Sequence, residues 1–206
     1  DYLRFYIAAI TSYTQTDLNF DWDSFYEKIN NELIANVGNF VNRALSFTHK
    51  AFGGRVPEPV SPAELTQDDK ASIEEIERAP RETGLLLSQN ELDRGLKRIL
   101  QFTSSFNQYF QKKEPWVNRA EANTTLYIAV NAVRSVAIML EPFLPFSSEK
   151  IWSQLGMSGS VHEQRWQTAS ELKVPPGHAL GKVEPIFHKV ERSEIEKQKA
   201  MLGKKE

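Results

Sequence analysis

Apolar side chains recur every third or fourth residue from Phe25 through Ile29, Leu33, Val37, Phe40 and Ala44 to Phe47, and that spacing confines the segment to a helix with one apolar stripe. It predicts a helix over 23–51, opened by Asp23 as its cap and closed by Gly53 and Gly54. The same period governs most of the chain beyond Gly54. Ser61 as cap, Pro62 at the first helical position and Glu64 at the third predict a second helix, which Pro80 must bend or stop. Ser88 to Glu91 repeats the capping pattern, and Leu92, Leu96, Ile99, Phe102, Phe106 and Tyr109 then carry an apolar face to about Lys113. A fourth helix runs through Leu126, Ala129, Val133, Val136, Ala137 and Leu140 until Pro142 and Pro145 interrupt it, and a shorter fifth around 149–155 ends at Gly156.

Beyond Met157 the pattern weakens. Pro175, Pro176, Gly177, Gly181 and Pro185 punctuate an irregular segment whose apolar pieces, Val183 and Ile186-Phe187, are expected to pack back on the helices, with a last helix over 193–202 and mobile residues at Lys204, Lys205 and Glu206. No repeat, low-complexity tract or hairpin spacing breaks the helical pattern. The expected fold is all-α, a helical bundle of about five main helices with an irregular C-terminal segment. It divides into 1–20, the end of a linking helix; 21–156, the bundle; and 157–206, the segment that packs back.

Composition narrows the chemistry. The 206 residues contain no cysteine, which removes disulfides, thiolate zinc sites and cysteine nucleophiles and makes an intracellular, cytoplasmic home the expectation. No apolar run approaches the roughly 20 residues that span a bilayer, and the start DYLRFYIAAI has no basic leader or cleavage site, so no membrane partner is expected. That start lacks Met and reads as mid-helix, so the chain is expected to be a piece of a longer protein. With a net charge of −2 the chain is no generic polyanion binder, and DNA is not an expected partner. Charge is nevertheless uneven: from Leu33 to Pro57 there is no acid, only Arg43, Lys50 and Arg55, whereas acids dominate from Glu58 to Glu82.

Catalytic constellations are missing. His49, His162, His178 and His188 show no metal-ligand spacing, Gly53-Gly54 lacks the strand and Lys-Ser/Thr of a phosphate loop, and Glu74, Glu75 and Glu77 fit a solvated helix face. Binding residues stand out more. At 100° per residue, Asn36, Asn39, Arg43 and Lys50 fall on one polar strip beside the apolar stripe. An amide and a guanidinium one turn apart, Asn39 and Arg43, can present donors and an acceptor to the edge of an unstacked base. They can equally form plain exposed surface or bond to a neighbouring helix. Pro115 and Trp116 follow a helix end, where the indole is either a lid on the core or an exposed stacking platform. Lys112, Lys113 and Arg119 weakly favour a phosphate-bearing partner.

The run from Asn31 to Arg43 resembles the first long helix of the anticodon domain of methionyl-tRNA synthetases. Asp1 to Tyr6 resembles the helix after their catalytic domain, and Asn107-Gln108-Tyr109 with Glu114-Pro115-Trp116 resembles their N-x-Y and P-W elements. Pro142 to Pro145 before the helix of Trp152 is shared by several class I synthetases, while Pro176 to Gly181 followed by Pro185 to Phe187 resembles the archaeal and eukaryotic methionyl enzymes. The resemblance implies an anticodon-binding domain that recognises CAU in the anticodon loop of methionine tRNA, through Asn39, Arg43 and Trp116 with Asn36, Pro115 and Asn107 beside them.

It further implies a catalytic domain of the same chain, using ATP and Mg with Zn as a further candidate, and a fragment that holds no cofactor and is inactive alone. The H-I-G-H and K-M-S-K-S signatures belong upstream. One position departs: members of the family often carry Asn one turn before the place of Asn39, and here Ala35 stands there. Two rivals remain, the same fold in a cysteinyl, leucyl, isoleucyl or valyl enzyme, and a helical protein-interaction module.

Overall fold

Asp21, not Asp23, opens the longest helical run. Its extended backbone lets the carboxylate accept the Ser24 N–H at 2.6 Å, whereas Asp23 lies in the first turn and pairs with Arg192 and Lys199. The computed structural model describes residues 1–12 and 18–202, so the expected mobile end at Lys204 to Glu206 lies outside the described residues. The run comprises α2 (Trp22–Glu27), a π-helical segment (Lys28–Gly38) and α3 (Asn39–Phe52), and it stops where Gly53 turns left-handed at φ +59°. Its apolar stripe is the buried edge: Ile29, Leu33, Val37, Phe40, Ala44 and Leu45 all lie in the core.

Ahead of it, α1 (Tyr2–Ile10) takes its first helical bond from the Phe5 N–H to the Asp1 carbonyl. The Ser61 capping box does form, but it closes only a single 3₁₀ turn, Pro62–Glu64. The long helix, α4 (Gln67–Ser88), starts from a second box in which Thr66 and Asp69 cap each other's backbone. It does not stop at Pro80. Ile76, Ala79, Pro80 and Thr83 are buried, and the Pro80 carbonyl accepts the Trp166 indole N–H at 2.8 Å, so packing overrides a local helix penalty of about 3 kcal/mol.

Ser88 does not cap the next helix either. It ends α4, donating its hydroxyl to the Leu85 carbonyl, and the chain reverses at Asn90 (φ +59°) before α5 (Leu92–Lys113), which has no side-chain cap at Glu91. At the centre lies α6 (Arg119–Leu140), buried on every side from Ile128 to Leu140. Pro145 serves as the first residue of α7 (Pro145–Gln154), which therefore begins a turn earlier than expected.

Residues 157–191 carry two 3₁₀ turns and wrap the bundle before α8 (Arg192–Leu202). Asn30 exchanges both amide bonds with the Val190 backbone, and Asn131 does the same with Val174. The resulting fold is an all-α bundle. The described residues include no named strand, only an isolated antiparallel bridge between Arg55 and Ala179.

Candidate nucleic-acid interface

Where α3 passes the end of α5, the chain builds an aromatic patch with a cation on it. Helix α5 terminates at Glu114, which takes a left-handed conformation (φ +42°) and accepts the N–H groups of Val117 and Asn118 at 2.8 and 2.9 Å. Inside that turn Pro115 is buried and Trp116 is 37% exposed. The indole is both lid and platform: part of its surface packs on Phe47 of α3 (centroids 5.7 Å apart) and Phe110 of α5 (6.4 Å), and the remainder faces solvent.

Arg43 completes the patch. Its guanidinium carbon lies 5.3 Å from the ring centroids of both Phe110 and Trp116. Burial lowers its pKa, with no acid opposing the shift, and an arginine remains a cation at neutral pH all the same. Among the described residues nothing accepts a hydrogen bond from it. One turn earlier Asn39 is exposed. A half-buried cation with free forked donors, a ring face and an exposed amide together match a planar heteroaromatic that has hydrogen-bonding edges.

Asn36 departs from the polar strip. It sits in the π-helical segment, where i→i+5 bonding fits more residues into each turn than a uniform 100° wheel assumes. Its amide therefore turns to α5, donating to the Leu100 carbonyl at 2.9 Å and the Ser104 hydroxyl at 3.0 Å. Asn107 of α5 answers by donating to the Asn36 carbonyl and side-chain oxygen, both at 3.1 Å. The exposed line through the π segment is instead Asn31, Ala35 and Asn39. Lys112 and Lys113 are not free cations: Lys112 pairs with Asp68, and Lys113 is buried between acids. Arg119 is exposed at the start of α6.

The histidines have local partners. His49 and His178 bond the carbonyls of Gly181 and Leu155, His162 bonds Glu141, and the His188 backbone bonds Tyr2. Among the described residues no group of His, Asp and Glu is arranged to hold a metal, and no helix is long and apolar enough to cross a membrane. Phe47 and Phe110 are the site residues that sequence reading passed over. Their signal was weak, since both belong to ordinary apolar stripes.

Fold and patch together define a helical binding module. Residues 69–201 match the family model described as the anticodon-binding domain of tRNA ligase, and residues 1–45 match that of class I tRNA synthetases (M). The chain belongs to the anticodon-binding domain family of tRNA ligases. It is 40% identical over 199 residues to the methionine--tRNA ligase of Thermococcus kodakarensis, covering 95% of this chain and 26% of that protein. The methionine--tRNA ligase of Sulfolobus acidocaldarius is 35% identical over 205 residues, with 98% and 35% covered. Among solved structures, the free-state methionyl-tRNA synthetase of Mycobacterium tuberculosis superposes with a TM-score of 0.83 at 26% identity, covering 92% of this chain and 38% of that one. The chain thus spans about a quarter to a third of the relatives it matches.

Proposed function

We propose that this chain is the part of a methionine-tRNA ligase that selects methionine tRNA in the cytoplasm by its CAU anticodon. The observation that carries the reading is the Arg43–Trp116 pair, a half-buried guanidinium with its hydrogen-bond donors unengaged beside a part-exposed indole. Trp116 stacks on an anticodon base, while Arg43 and Asn39 present their polar groups to base edges. Pro115 shapes the turn that carries the indole. Asn36 and Asn107 clasp the π-helical segment to α5 and so fix where Asn39 and Arg43 begin.

A catalytic domain of the same enzyme would activate methionine with ATP and Mg, with Zn as its further candidate metal, and the present residues contribute binding alone. Fluorescence anisotropy of a methionine-tRNA anticodon stem-loop titrated with the chain tests the proposal. Stem-loops with CAU should bind more tightly than those with an altered first or second anticodon base, and equal affinity for all of them refutes it.

A further inference from the structure

Directly behind the Trp116 turn lies a charged cluster that the anticodon reading does not use. Lys113, the last residue of α5, has a side chain only 5% exposed. Its ammonium lies 3.0 Å from Asp69, 2.7 Å from Glu121 and 2.9 Å from the Thr66 hydroxyl. Asp69 also accepts the Tyr109 hydroxyl at 2.7 Å. Burial pushes the lysine pKa down, but bonds to Glu121 and Asp69 outweigh it, and the net shift is upward. Burial likewise pushes Asp69 up, and the bonds from Tyr109, Thr66 and Lys113 bring it below its ordinary value. Both groups are therefore held charged, and Tyr109 is held firmly as the neutral donor.

The geometry matters more than the charge count. Thr66 and Asp69 open α4, Tyr109 and Lys113 close α5, and Glu121 lies in the first turn of α6. One ammonium thus pins three helix ends together, and the five-residue turn from Glu114 to Asn118 is strung between two of them. A buried ion cluster seldom adds much net stability over a well-packed apolar equivalent, because desolvation offsets its Coulomb gain, and the role left to it is to fix register, as buried polar groups do in some folds. What it fixes here is the height and tilt of the turn that carries the exposed indole.

We propose that Lys113 is a positioning residue for anticodon recognition, holding the Trp116 platform against Arg43 by locking the ends of α4, α5 and α6 to one another. The inference rests on the anticodon reading for its consequence, though not for its structural content. Two variants probe it: Lys113→Met, which removes the ammonium, and Glu121→Gln, which takes the negative charge out of the tie to α6 at a carboxylate that is 38% exposed and so spares the core.

The readouts are stem-loop affinity and the ¹⁹F spectrum of the chain carrying 5-fluorotryptophan at its four tryptophans, with the Trp116 resonance assigned through Trp116→Phe. Both variants should broaden or shift the Trp116 resonance while those of Trp152 and Trp166 stay in place, and should weaken CAU binding by roughly two- to thirtyfold. The loss should shrink when Trp116 is already alanine. A Trp116 resonance unmoved in Glu121→Gln overturns the proposal, as does a full loss that adds to that of Trp116→Ala. If Lys113→Met fails to fold, Glu121→Gln decides alone. Normal binding by Trp116→Ala would instead overturn the anticodon reading, and the resonance would still report on the cluster.

Discussion

Two arginine–tryptophan pairs occur among the described residues, alike in separation and unlike in burial and in what else the arginine does. Arg134 lies 5.7 Å from the Trp152 ring and Arg43 5.3 Å from the Trp116 ring. The first pair is interior, with the arginine 1% and the indole 2% exposed. Its guanidinium donates to the Thr168 and Glu171 carbonyls and to the Thr168 hydroxyl, clamping the 3₁₀ turn Trp166–Ser170 onto α6. The second pair stands at the surface with its donors free. An arginine beside a tryptophan therefore does not by itself suggest a binding site; what sets the surface pair apart is unengaged hydrogen-bonding capacity beside a part-exposed ring.

The sharpest way to break this contrast is to delete each arginine and measure unfolding in urea. Arg134→Ala should lose about 3 to 5 kcal/mol, since it leaves a cavity beside Trp152 and strands the part-buried Thr168 and Glu171 carbonyls. Arg43→Ala should change stability by less than about 1 kcal/mol, the scale of an exposed cation–π contact. Equal losses would mean that Arg43 is a structural clamp as well. Next in size is Trp116→Ala, which should weaken anticodon stem-loop binding by about 1 to 3 kcal/mol with the helical circular dichroism intact. Retained affinity would remove the stacking role from the surface pair.

Which pair was which could not be told from residue order. Helix periodicity made the bundle legible, because burying a stripe of Ile29, Leu33 and Val37 needs no knowledge of distant partners. Local signals misplaced what tertiary contact decides. Pro80 stays inside α4, where it is buried and its carbonyl is bonded by Trp166, 86 residues away. Ser88 looked like a cap and serves as an ending. At the site, Asn39, Arg43 and Trp116 were visible as candidates, whereas Asn36 left the strip through a π-helical register that periodicity does not encode. Lys113 looked like a free surface cation because Asp69 lies 44 positions upstream.

A smaller effect should separate the functions within the surface patch. Replacing Arg43 by Lys keeps a charge near the rings but removes the planar fork, so the preference for CAU over altered anticodons should fall by about 1 kcal/mol or more while affinity for the stem as a whole changes less. Competition titrations against stem-loops altered one base at a time measure this. A uniform loss across all anticodons would assign Arg43 to a phosphate contact instead.

The smallest effect concerns Ala35, where the chain departs from the family it resembles. Asn36 cannot stand in for an asparagine at that place, because its amide is bonded to Leu100 and Ser104 of α5 and its oxygen accepts from Asn107. Ala35 itself is exposed on the line that runs to Asn39, so a side chain there meets solvent, and under the proposed anticodon reading it would meet the bases. Ala35→Asn should therefore strengthen CAU binding by about 0.5 to 1.5 kcal/mol, one net hydrogen bond, against a helix-propensity penalty of at most about 0.7 kcal/mol that falls on folding rather than on binding. An unchanged stem-loop affinity would end the readable surface at Asn39. A gain that persists in Trp116→Ala would show that the added amide contacts the RNA independently of the stacked base.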